Sequence, residues 1–67
     1  MSTGANHLVE LRNDVIRAAQ NLAAQSFNAN DPTALDRQAM MAAGIAEGFS
    51  IYAERCRELA GALLDHE

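Results

Sequence analysis

Asn28-Ala29-Asn30-Asp31-Pro32 is the stretch of sequence that decides the fold of this 67-residue chain. Asparagine and aspartate adopt turn conformations readily, and proline cannot continue a helix that precedes it. Aspartate is also a favoured N-cap and proline a favoured first helical residue, so Asp31 and Pro32 predict the start of a new helix. The stretch therefore predicts a turn over 28–32 that separates two helices.

Apolar side chains on both sides of this turn recur at helical spacing, and no segment alternates with the period of a β-strand. The recurring residues of the first helix, predicted over 6–28 with Asn6 as its N-cap, are Leu8, Leu11, Val15, Ala18 and Leu22. Those of the second helix, predicted over 32–65, are Leu35, Ala39, Ala42, Ala46, Phe49, Ala53, Cys56, Ala60 and Leu63. The sequence predicts an all-α fold, an antiparallel two-helix hairpin that forms one domain over 1–67 with residues 1–5 frayed.

Alanine occupies every second position of the line in the second helix, which we expect to be the seam of the hairpin. These alanines are Ala39, Ala46, Ala53 and Ala60. A turn centred near residue 30 would place Val15 against Ile45 or Ala46 and Leu11 against Phe49. Length, two-helix layout and alanine seam resemble the Rop-like helical-hairpin dimers, and that resemblance implies a four-helix arrangement and, as one alternative, RNA binding.

Charge and composition argue against several classes of function. Five arginines without any lysine stand against nine carboxylates, for a net charge of −4. The arginines are dispersed, so the clustered basic surface that binds nucleic acid or anionic membranes is missing. The chain also lacks a signal peptide and a run of about 18 apolar residues, which predicts a soluble cytoplasmic protein.

Self-association is predicted from the size of the chain. A single core of this size rarely supplies more than about 3–5 kcal/mol, and one cysteine excludes an internal disulfide. The second helix, about 50 Å long against about 33 Å for the first, would overhang its partner and expose leucines. We therefore expect a homodimer with four helices. The predicted dimer interface consists of Ile45, Tyr52, Leu59, Leu63 and Leu64.

Between Gln38 and Ala53 the second helix is apolar nearly all round, with one charged residue. Glycine in a helix interior costs about 1 kcal/mol relative to alanine, so the glycines here predict a close approach by another element. The element could be the dimer mate or a docked larger protein whose basic surface pairs with nearby carboxylates. The predicted partner-binding residues are Met40, Met41, Gly44, Glu47, Gly48, Ile51 and Glu54.

No group of side chains predicts catalysis, a cofactor or a metal ion. Arg55 and Arg57 flank Cys56 and could activate its thiol for redox sensing, but adjacent helical residues do not share a face. Cys56 is therefore predicted to be a small buried hydrophobe. His7 and His66 are expected at different levels of the hairpin, which argues against a shared metal site.

The predicted function is a non-enzymatic protein–protein interaction module. In size and layout the chain resembles phage-encoded anti-activators of LuxR-type quorum-sensing regulators, and this resemblance implies a small bacterial or phage regulator that binds and inhibits a larger host protein such as a transcription regulator. Two alternatives remain open, a Rop-like RNA-binding dimer and a structural or antitoxin-like accessory subunit.

Overall fold

The computed structural model describes residues 3–65, which form two α-helices and no strand. Helix α1 spans Thr3–Ala24 and helix α2 spans Pro32–Leu64. The helices lie side by side in opposite directions, which confirms the predicted all-α hairpin. Neither helix offers, within residues 3–65, an apolar stretch of the length that a bilayer requires.

The connection between the helices is held by short-range hydrogen bonds. The Asn28 side chain accepts from the Asn30 backbone N–H at 3.0 Å, and the Asp31 N–H donates to the Asn28 carbonyl at 3.1 Å. The Asp31 carboxylate then accepts from the Thr33 N–H at 3.1 Å while its own backbone is extended, and Pro32 opens α2. These bonds confirm the predicted start of the second helix.

The limits of α1 differ from the predicted 6–28 at both ends. The helix begins at Thr3, so Asn6 lies inside it and does not cap it. It ends at Ala24, and residues 25–28 have no regular structure. At this end the Gln25 N–H donates to the Leu22 carbonyl at 3.2 Å, and Asn28 is engaged in the turn that follows.

The two helices pack through residues other than the predicted alanine line. Half-buried residues of α1 at helical spacing are Ala5, Leu8, Leu11, Ala19 and Leu22, around the buried Val15. Those of α2 are Ala34, Gln38, Met41, Ile45, Gly48, Tyr52, Cys56 and Leu59. Of the predicted seam only Ala53 and Cys56 are half-buried, and the rest is exposed. This corrects the predicted seam, which lies about 100° away around α2, and larger side chains bury more apolar area there than alanine can.

The register is also shifted relative to the prediction. A Cβ atom built on Gly48 would lie 3.1 Å from Val15 Cγ2, so Val15 packs against residue 48, about three residues beyond the position that the predicted register places opposite it. Together with the earlier start of α1, this register leaves only about one turn at the C-terminal end of α2 extending beyond the start of α1. Leu59 is consequently half-buried, whereas Leu63 and Leu64 are exposed.

The hairpin has almost no core. Val15, 7% exposed, is the only buried hydrophobic residue among those that the structure describes. The molecule measures 56 × 15 × 11 Å, and its radius of gyration is 16.1 Å. A compact chain of this length would have a radius of gyration of about 11 Å. The hairpin is therefore a single elongated layer of helices.

Candidate functional site

The two broad sides of the hairpin carry different residues. A residue one position before or after a half-buried residue lies about 100° away on its helix. Because the helices are antiparallel, the preceding positions of both helices fall on one side, and the following positions fall on the other. We call the first the cleft side, since it holds two clefts, and the second the flat face.

The first cleft of the cleft side has a volume of about 440 Å³ and lies between the second half of α1 and the part of α2 from Met41 to Gly48. Its lining residues are Asp14, Val15, Ala18, Asn21, Leu22, Gln25, Met41, Gly44, Ile45 and Gly48. A Cβ atom on Gly44 would meet no other atom within 4 Å, whereas one on Gly48 would press on Val15. Gly48 thus admits α1, and Gly44 leaves open space in the cleft.

The second cleft lies nearer the chain termini and has a volume of about 570 Å³. Its apolar lining comes from Leu8, Leu11, Ile51 and Leu59. Its other lining residues are Gly4, His7, Arg55 and Glu58. Both clefts are thus apolar surfaces bordered by polar side chains.

The predicted partner-binding residues lie largely on this cleft side. Met41, Gly44 and Gly48 line the first cleft, and Ile51 lines the second. Met40 is 76% exposed, and Glu47 and Glu54 are also exposed. The assignment of these seven residues to a partner stays a prediction.

Helix α1 contributes cleft residues that the sequence reasoning did not single out, namely Asp14, Asn21 and Gln25. The available signal was their spacing, since Asp14 and Asn21 each precede a residue of the α1 stripe. Asp14 also lies 3.8 Å from the Arg17 guanidinium in an exposed ion pair. Exposed pairs of this kind contribute about 0–1 kcal/mol, so the carboxylate stays available to a partner.

The flat face exposes apolar residues of both helices, and α1 adds the polar side chains of Asn6, Arg12 and Gln20 to it. Its large residues are Val9, Ile16, Leu35 and Phe49. Its alanines are Ala39, Ala42, Ala46 and Ala53, the middle of the line that was predicted to be the seam. The alanine line is therefore turned away from α1 toward the outside of the hairpin.

The predicted dimer interface is divided between two places. Ile45, Tyr52 and Leu59 are half-buried within the hairpin, where they pack toward α1. Leu63 and Leu64 remain exposed at the end of α2. Their role in a dimer stays a prediction, and only these two are fully available to a mate.

Titratable groups meet at one point of the hairpin. Hydrogen bonding to the Cys56 thiol, followed by burial, raises the pKa of Tyr52 above its ordinary value of 10.0, and Arg12 on α1 opposes this rise. Cys56 is a half-buried free thiol. His66 lies outside the described residues, and within residues 3–65 no three potential metal ligands are grouped.

The arrangement is suited to noncovalent binding, because two apolar surfaces lie on opposite sides of one thin layer. The cleft side combines concave apolar patches with carboxylates, and the flat face combines large side chains with alanines.

No protein-family model, curated protein or solved structure matches this chain.

Proposed function

We propose that this chain is a non-enzymatic protein–protein interaction module, a small cytoplasmic regulator that binds a larger protein through its cleft side and inhibits it. The observation that carries the proposal is the pair of apolar clefts on one side of the hairpin, bordered by carboxylates. In this proposal the hairpin works as a dimer, because one hairpin alone buries a single hydrophobic side chain among its described residues.

The geometry of the clefts suits a helix of the partner. The centres of the two clefts lie near Ala18 and Leu8, about 15 Å apart at the helical rise. A docked amphipathic helix spans that distance in about three turns. Bulky apolar residues at the two ends of its apolar face would then each occupy one of the two clefts. The open space over Gly44 gives the first of these residues room.

The charge of the cleft side indicates a basic partner. Asp14 and Glu58 line the clefts and Glu47 is exposed beside them, while His7 and Arg55 lie in the second lining. The whole chain carries a net charge of −4. Complementary charge favours encounter with a basic surface and its correct orientation. A DNA-binding transcription regulator presents such a surface, and covering it would prevent DNA binding.

The test uses Gly44→Arg, which fills the first cleft with a long cationic side chain. Gly61→Arg is the matched control, since a side chain at Gly61 also meets nothing within 4 Å and Gly61 lies outside both clefts. Immobilised wild type, Gly44→Arg and Gly61→Arg are exposed to a bacterial lysate, and retained proteins are purified for binding and DNA-binding assays.

We expect wild type and Gly61→Arg to retain a basic protein that Gly44→Arg does not retain. The DNA binding of that protein should decrease in proportion to the fraction of it that is bound to the hairpin. Equal retention by all three chains would exclude the cleft as the binding site. Salt-dependent retention of the chain on structured RNA, without a protein partner, would favour the RNA-binding alternative.

A further inference from the structure

We propose that the flat face is a homodimer interface, on which a second copy of the chain lies face to face to give four helices. The inference extends the proposed function, because it names the surface that joins the two copies and leaves both cleft sides on the outside. The interface consists of Val9, Ile16, Leu35, Ala39, Ala42, Ala46, Phe49 and Ala53.

The solvent-accessible area of the hairpin is larger than expected for a folded monomer, which supports an interface with a partner. The accessible surface of the hairpin is 5352 Å², whereas a folded monomer of 7.2 kDa exposes about 4,100 Å². The excess is about 1,200 Å², and each partner in a stable complex of standard size buries about 800 Å². The hairpin thus exposes enough additional area to form one such interface.

The chemistry of the flat face suits an identical copy. From Leu35 to Ala53 the α2 residues of this face include no charged side chain, whereas α1 places Arg12 on it between Val9 and Ile16, where a dimer has to leave the guanidinium solvated or paired. Ile16 and Phe49 directly follow Val15 and Gly48, which contact each other, so these two large residues lie at one level. Alanines lie on α2 on both sides of that level, at Ala46 and Ala53, and can receive large side chains of the copy.

A second copy is the occupant that the stability of the fold requires. Ordering the backbone costs about 1–2 kcal/mol per residue, and full burial of one side chain returns about 1.5–3 kcal/mol. Val15 is the only buried hydrophobic residue of the described part, so the folded hairpin requires a partner that buries its exposed apolar residues. Only another copy is always present together with the chain.

The experiment compares two neighbouring side chains of almost equal exposure on opposite sides of α2. Phe49 is 41% exposed on the flat face, and Ile51 is 39% exposed at the second cleft. Wild type, Phe49→Glu and Ile51→Glu are analysed by sedimentation equilibrium at micromolar concentrations. We expect twice the chain mass for wild type and Ile51→Glu, and the mass of one chain for Phe49→Glu.

Thermal unfolding of the wild type at several concentrations keeps the test independent of whether Phe49→Glu folds. The midpoint of a dimer rises with protein concentration, and that of a monomer does not. A folded wild-type monomer with a constant midpoint, or loss of the dimer in Ile51→Glu alone, would overturn the inference. A dimer that binds no protein partner would refute the proposed function and leave this interface intact.

Discussion

Two glycines of α2, four residues apart, show how one missing Cβ atom can have opposite meanings. Gly48 allows α1 to come close, since a Cβ atom there would lie 3.1 Å from Val15 Cγ2 and 3.5 Å from Val15 Cγ1. Gly44 lies one turn earlier and faces open space. Sequence reasoning predicted a close approach at both glycines by a dimer mate or a larger protein, whereas the structure shows α1 of the same chain close to Gly48 and nothing close to Gly44, because the face of α2 that α1 covers differs from the predicted one.

These surroundings predict different effects of alanine at the two positions. We expect Gly44→Ala to raise the free energy of unfolding by about 1 kcal/mol, because it removes glycine's entropic cost without a clash. Gly48→Ala should give no gain or a loss, because Val15 has to move. Urea unfolding of both variants at one protein concentration measures the difference, and equal stabilisation would contradict the packing of Gly48 on Val15.

At the scale of the element, the start of α2 could be predicted and the seam could not. The cap depends on Asp31 and its immediate neighbours, which the sequence displays directly. The seam had two candidate lines with the same spacing of three and four residues, one through Ala42 and Phe49 and one through Met41 and Gly48. Spacing alone does not distinguish them. The decisive quantity is the apolar area each line buries against α1, which depends on three-dimensional packing.

The cap of α2 should contribute measurably to stability. Asp31→Ala removes the carboxylate that accepts from the Thr33 N–H at 3.1 Å, and we expect a loss of about 1 kcal/mol in the free energy of unfolding. Asp36→Ala is the control, because it removes the same charge from an exposed site and no hydrogen bond or ion pair of Asp36 is observed within residues 3–65. Chemical denaturation should show a clearly larger loss for Asp31→Ala than for Asp36→Ala.

At the scale of the whole molecule, the sequence predicted two helices and an unsatisfied apolar surface, but not where that surface lies. The predicted overhang assumed that α1 begins at Asn6 and faces α2 in the register of a turn near residue 30. The observed start at Thr3 and the contact between Val15 and Gly48 remove most of that overhang. The apolar excess appears instead along the length of the hairpin, as the flat face.

The composition of the chain makes its alkaline behaviour depend on few groups. The chain contains no lysine, and Tyr52 is its one tyrosine. Because the pKa of Tyr52 is raised in the folded chain, the phenolate forms more readily in the unfolded chain. The contribution of the protonated Tyr52 to the free energy of unfolding is therefore fully present below about pH 10 and is lost as the pH rises through the folded pKa. We expect Tyr52→Phe to weaken this fall, measured by denaturation from pH 8 to pH 11. Equal slopes for both chains would exclude Tyr52 as the cause.

The 11 Å thickness of the hairpin is about the diameter of one α-helix, so every peptide group lies within a single layer. In such a layer no amide is shielded by a second tier of the same chain. Intrahelical hydrogen bonds give some protection, and a protein-concentration dependence of the exchange of amide hydrogens with deuterium would reveal the added contribution of contact with another copy. The exchange rates along α1 and α2 would then report how much the assembled species stabilises each helix against opening.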